Sequence, residues 1–257
     1  MFEIISLLCI YVLSGFWLNY NLVKEKTIKM PSYLSSIVFI ILCMPFMSLS
    51  NSWQMALSIF FLIAIYIEIL GFSNSSEIRK RIFKTGFFLG VLTLLDNSFL
   101  FFLPLIIGAL IYYNHIFWRY FVIQLIGLIY PLGLYAILQR FLNITLKFQP
   151  TIDLKLFYAD PQLIAILSIL LTLSLKELYT NSYKKTEKSK KGFNLIYMIS
   201  ILIILQAIVL NSLQFIHLLY LPITIIIANY LIYLRHKKFQ TFLLGLLLIV
   251  FSIKIFI

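Results

Sequence analysis

The chain is built from apolar blocks about a membrane thick, separated by short and mostly basic connectors. Runs such as Ile201-Leu202-Ile203-Ile204-Leu205 and Leu244-Gly245-Leu246-Leu247-Leu248-Ile249 are apolar on every side. A helix needs roughly 20 apolar residues to cross the hydrocarbon layer, and this sequence supplies them repeatedly. Hydrophobic residues make up 62% of the chain against 12% charged, and mean hydropathy is +1.00. The expected fold class is all-α: a polytopic helical membrane protein forming a single transmembrane domain over 1–257. A barrel would alternate with period two around a polar lumen, and these runs do not.

Nine candidate blocks read directly from the sequence: Phe2 to Tyr20, Tyr33 to Leu49, Trp53 to Leu70, Ile82 to Tyr113, Trp118 to Gln139, Pro161 to Leu175, Phe193 to Leu210, Phe215 to Leu234 and Phe239 to Phe256. The first lacks a basic leader and a small-x-small cleavage site before Lys24, so it reads as a retained span. Ile82 to Tyr113 runs about 32 residues, or ~48 Å as one helix at ~1.5 Å per residue. That is too long for one crossing and short for two. Its middle reads Asp96-Asn97-Ser98, followed by Pro104. Asp and Asn favour caps over helix interiors, and Ser98 or Asn97 can cap a following helix.

Charge decides between one crossing and two. The basic residues cluster around Lys24, Arg79, Arg81, Lys188 and Arg235, each beside others of the same sign. If Ile82 to Tyr113 crosses once, these clusters fall on both sides of the membrane. If it turns at Asp96, all fall on one side, as the positive-inside bias requires. The expectation is two short helices, Ile82 to Leu95 and Phe99 to Tyr113. The first can start lower, near Arg79, with its basic side chains snorkelling to headgroups. Ten crossings result, in a bacterial inner membrane, with both termini periplasmic. The formal charge of +12 is then spent on headgroups and orientation rather than on nucleic acid.

The connector Phe141 to Asp160 is the longest and permits a small cap; its last pair, Asp160-Pro161, reads as a helix start. Cys9 and Cys43 lie inside apolar blocks and read as small buried hydrophobes. Glu68 can reach the basic headgroup layer or pair with Arg79. The set expected at the opposite face is Asp96, Asn97, Glu3 and His217, with Asn51, Trp53, Gln54, Asn211 and Gln214 around it. Asp96 is a helix-capping turn acid, a ligand-facing or catalytic acid in a recess, or one half of an internal salt bridge, and no catalytic residue is assigned. There is no HExxH, HxxxH or carboxylate cluster, so neither a metal nor another cofactor is expected. Gly86 and Gly90 match a small-x-x-x-small pattern, which marks a packing face. Beyond Asp96, no matching interruption of a span is evident in the second half.

The stretch Ser14-Gly15-Phe16-Trp17-Leu18-Asn19-Tyr20 followed by Pro31-Ser32-Tyr33 resembles an uncharacterised Bacteroidota family of small multi-span inner-membrane proteins. That resemblance implies location and no activity. A smaller stretch, Gly86 to Gly108 with Gly90, Leu94, Asp96, Phe99 and Pro104, is similar to a helical pair of the polyprenyl-phosphate-dependent membrane glycosyltransferases. That would imply a lipid-linked sugar donor near Asp96. Those enzymes carry their catalytic carboxylate in a long first outer loop; here the connector Ser48 to Asn51 holds no acid, leaving Glu3 and Asp96 as substitutes. Three functions are therefore expected in order: a non-catalytic subunit or scaffold that contacts membrane lipids and other integral proteins, a binder or transferase using a polyprenyl phosphate lipid, and a small transporter or flippase.

Overall fold

The computed structural model describes residues 2–28, 32–45, 52–73, 77–142, 161–210, 213–234 and 236–256. Among them are ten α-helices: α1 (Phe2–Lys24), α2 (Leu34–Cys43), α3 (Ser52–Leu70), α4 (Ile78–Leu95), α5 (Leu103–Tyr112), α6 (Trp118–Leu142), α7 (Pro161–Thr180), α8 (Glu187–Val209), α9 (Tyr220–Tyr233) and α10 (Lys237–Phe256). Helices satisfy their own backbone groups, which hydrocarbon would leave unpaired. Several buried hydroxyls donate back to a carbonyl three or four residues earlier. Ser14 donates to Ile10 O at 2.6 Å, Ser174 to Leu170 O at 2.6 Å, Thr224 to Tyr220 O at 2.6 Å and Thr93 to Gly90 O at 2.7 Å.

Among the described residues, five stretches are long and apolar enough to cross a membrane: Ile5–Lys24, Trp53–Ser73, Trp118–Phe141, Glu187–Val209 and Phe215–Tyr233. The chain is thus a multi-span helical membrane protein. Each segment read from the sequence contains a helix, and Ile82 to Tyr113 contains two, but the described part of α2 is only 10 residues, about 15 Å of rise. Asp160, Arg235 and the middle of the Phe141 to Asp160 connector lie outside the described residues.

The core is centred on α3 and α9. Leu62, Ile63, Ala64, Ile65 and Tyr66 on α3 are fully buried, as are Ile225, Ile227 and Ala228 on α9. α3 packs against α1 and α4, and α9 against α2 and α7. α1 also packs on α2, and α5 on α8. α6 is peripheral and lies along α4. There the backbones meet through glycine: a Cβ on Gly86 would overlap the carbonyl of Gln124, and one on Gly90 the carbonyl of Leu128. Gly127 answers from α6, where a Cβ would overlap the Phe83 carbonyl. The small-residue pattern is a packing face.

The long block breaks at Asp96, whose backbone is extended (φ −158°, ψ 127°). A 3₁₀ turn, Asn97–Phe102, follows and leads into α5, with Pro104 at its second position where no N–H is needed. α4 starts at Ile78, a turn ahead of Ile82, as its basic residues allow. A second 3₁₀ turn, Leu213–Leu219, leads directly into α9. Pro222 occupies the first turn of that helix. Cys43 is buried as expected, but Cys9 is exposed and faces away from the protein interior.

Candidate functional site

Polar groups gather at two ends of the bundle. At one end meet the start of α3, the ends of α4 and α8, and both 3₁₀ turns. Asp96 caps its turn: Oδ1 accepts from the Ser98 N–H at 2.8 Å. Asp96, and neither Asn97 nor Ser98, is therefore the cap. Asn97 is exposed beside it. Gln54 Nε2 donates to Leu95 O at 3.2 Å, and Gln206 Nε2 donates to Ser98 O at 3.1 Å. These amides occupy carbonyls that α4 and the turn leave open. The Phe99 ring meets Phe215 edge-on at 5.6 Å, joining the two turns.

His217 is buried below this layer. Its Nε2 lies 2.9 Å from Ser58 Oγ on α3, while the Ser58 hydroxyl lies 2.8 Å from the Met55 carbonyl. A hydroxyl has one proton. The Ser58 hydroxyl can serve one of these two acceptors at a time, and the roles at Nε2 depend on the imidazole tautomer. The pair has the composition of a nucleophile and its base. Glu3 sits in the first turn of α1, and its side chain lies outside the described residues.

At the other end the basic connectors converge. Arg81 reaches Glu25 at 3.9 Å and Glu68 at 3.6 Å, and Lys84 reaches Glu68 at 3.3 Å. The Glu68 partners are thus Arg81 and Lys84 on α4, while Arg79 is exposed. Residue 79 lies on a different helical face, two positions from Arg81. Gly71 makes room for this network, since a Cβ there would overlap the Arg81 guanidinium. Lys24 and Lys188 are exposed. Ser189 Oγ donates to Thr27 O at 2.7 Å, bringing the start of α8 against the connector after α1. Lys191 Nζ lies 5.3 Å from the Tyr113 ring centre, bringing the end of α5 to the same place.

A group that the sequence did not single out lies nearby. Lys185 Nζ is 4.2 Å from the Phe193 ring centre and 5.4 Å from that of Tyr233, and donates to Asn229 Oδ1 at 2.7 Å. Asn229 donates onward to Glu177 Oε2 at 3.1 Å, and Asn181 holds Oε1 at 3.2 Å. Asn229 is fully buried. A lone amide inside Ile225 to Leu231 was the available signal, since an apolar span rarely keeps one without a partner. Among the described residues, no group of three or more His, Cys, Asp or Glu is placed to hold a metal ion.

Helices of this length and apolarity, with the polar groups gathered at the two ends of the bundle, define the class as an integral, multi-pass membrane protein. The chain belongs to the family of unknown function DUF6427, whose sequence pattern matches residues 2–257. No curated protein and no solved structure matches it.

Proposed function

We propose that the chain is a non-catalytic integral subunit or scaffold of an inner-membrane complex. The observation that carries this reading is the employment of its reactive-type groups. Asp96 holds a turn, Gln54 and Gln206 hold carbonyls, and His217 ties the turn ahead of α9 to Ser58 on α3. Each serves the fold. α6 supplies a surface for partners: 22% of its apolar stretch is buried within the chain, against 78% for α3. Ile126, Ile129, Leu134 and Ile137 face outward on it.

The proposed topology is ten crossings with the basic end cytoplasmic and both termini outside. Support comes from contacts: α4 begins at the Arg81 network and ends beside Gln54, and α5 ends beside Lys191. At ~1.5 Å per α residue and ~2.0 Å per 3₁₀ residue, α4 and the turn-plus-α5 segment each rise about 27 Å. That approaches the hydrocarbon thickness. Helical spans and a one-sided basic face suit an inner membrane.

The test is purification in mild detergent with photo-crosslinkers at Ile126 and Ile137. Discrete crosslinks from both positions to one integral protein are expected. A bound polyprenyl phosphate, with sugar transfer lost on Asp96→Asn, would overturn the reading in favour of an enzyme.

A transporter is the second reading, favoured by the two 3₁₀ turns that lead into α5 and α9. Asn97-Ser98 and Leu103-Pro104 have counterparts in Asn211-Ser212 and Leu221-Pro222. Interrupted helices in two halves of a chain are a feature of transporters. Gradient-driven solute uptake by the reconstituted chain alone would select this reading.

A further inference from the structure

The connector from α5 to α6, residues 113–117, is tied down along its length. α5 closes on itself first. His115 N–H donates to Leu110 O at 2.8 Å and Asn114 N–H to Ile111 O at 3.0 Å, with Asn114 left-handed at φ 60°. His115 then pins the connector to the end of α3, where its Nε2 donates to Phe72 O at 2.9 Å. Its ring meets that of Tyr120 edge-on at 5.9 Å, and Phe117 meets the same ring at 5.7 Å. Tyr120 N–H closes the first turn of α6 on Phe117 O at 2.9 Å.

The side chains that this frame holds outward are large and apolar. Ile116 and Phe117 are each 61% exposed and Trp118 is 70% exposed. Trp118, Val122, Leu125 and Ile129 are exposed at helical spacing and carry the same surface along α6. The surface is ordered by depth. Exposed Asn114 comes first, then Phe117, Trp118 and Arg119, then the aliphatic Val122, Leu125 and Ile129. Arg119 is exposed, with its guanidinium 6.0 Å from the Trp118 ring centre. A bilayer has that order from headgroup to acyl chain, with amphipathic rings at the boundary between them. A protein partner imposes no such order, and water would have to wet three adjacent large apolar side chains.

We propose that residues 116–118 lie in the headgroup–acyl boundary of the bilayer and anchor the start of α6 there. The partner is the phospholipid surface itself. Ile116 and Phe117 enter the upper acyl region, the Trp118 ring lies at the boundary, and the Arg119 guanidinium reaches the phosphates. Within the chain α6 packs chiefly along α4, so a second hold at its first turn fixes its depth. The anchor stands whichever partner the rest of α6 meets.

Trp17→Phe with Trp53→Phe leaves Trp118 as the one tryptophan of the full chain. That protein is reconstituted in vesicles of phosphatidylcholine brominated either near the headgroup end of its acyl chains or near the chain ends. Quenching of Trp118 is compared with that by aqueous iodide. Bromines near the headgroup end should quench about twice as strongly as those near the chain ends, and iodide only weakly. Strong quenching by iodide and little by either lipid would place the connector in water and overturn the anchor. Protection from all three would mean a protein cover, such as a second copy of the chain, and would overturn it too. Ile116→Asp with Phe117→Asp should shift the emission to the red and raise iodide quenching several-fold. An unchanged Trp118 signal in that pair would mean that packing on α4 alone sets the depth, and the anchor would fall. Where the tryptophan replacements lower the melting temperature, a nitroxide on Ile116→Cys, with Cys9 and Cys43 replaced by Ala, gives a second reading. Oxygen should reach it more readily than a water-soluble nickel chelate, and the reverse order would overturn the anchor.

Discussion

Arg81 bridges two acids from different parts of the chain. Its guanidinium sits between Glu25 and Glu68, with side-chain exposures of 15%, 15% and 13%. Its Nε is buried without a partner, so the arginine is held by charge more than by a complete set of hydrogen bonds. Removing it leaves two half-buried carboxylates facing Lys84, which is largely exposed and contributes little. A fully buried pair costs ~3–5 kcal/mol to break; with water still in reach, Arg81→Gln should cost about 1–3 kcal/mol. Thermal unfolding in detergent measures this, with Lys188→Gln expected to stay within about 0.5 kcal/mol of wild type. Asp96 makes the complementary case. If it acts as a cap, Asp96→Asn should be nearly neutral, because Asn caps equally well. Asp96→Ala should cost about 1 kcal/mol. A larger loss for Asp96→Asn than for Asp96→Ala would contradict the capping role.

The α4–α6 pair shows how far a single element was legible from sequence. The Gly86 and Gly90 spacing gave a packing face, because glycines one turn apart leave a flat strip that a backbone can approach. It did not give the partner, since Gly127 lies far along the chain and the contact is with carbonyls. The break at Asp96 could be read because capping residues advertise themselves. The 3₁₀ form of Leu213–Leu219 could not, since Phe215, Ile216 and Leu218 are as apolar as any span. Networks were the least legible feature: Glu177, Asn181 and Lys185 are close in sequence, but Asn229 comes from α9 and only folding brings it to them. The glycine contact makes a direct prediction. Gly90→Leu would drive a side chain into the Leu128 carbonyl and Pro131. Backbone cannot step aside as a side chain can, so the cost should be on the order of 3 kcal/mol or more. Gly133→Leu on α6, where a Cβ meets nothing within 4 Å, should leave the melting temperature unchanged. Two single-variant melts in one detergent measure the difference, and similar losses would remove α6 from its place on α4.

At the scale of the whole molecule, the two polar ends do opposite work. One gathers neutral amides, a capped acid and a histidine; the other gathers Glu25, Arg81, Lys84, Lys185 and Lys191. On the proposed topology the second end lies in the cytoplasm, as the positive-inside bias favours, and α4 and α5 run oppositely. Cysteine labelling tests this. Cys9 and Cys43 are first replaced by Ala, a small change at the exposed Cys9 and a modest cavity at the buried Cys43. Single cysteines are then placed at Asn97, beside Asn211 and at Lys188, of which Asn97 and Lys188 are exposed. A membrane-impermeant maleimide added outside intact cells should label the positions at Asn97 and Asn211, and should label Lys188→Cys only after the membrane is opened. Labelling of Asn97→Cys together with Lys188→Cys, from either side, would require Ile82 to Tyr113 to cross once. The basic connectors would then be split across the membrane, and the ten-crossing topology would fall with them.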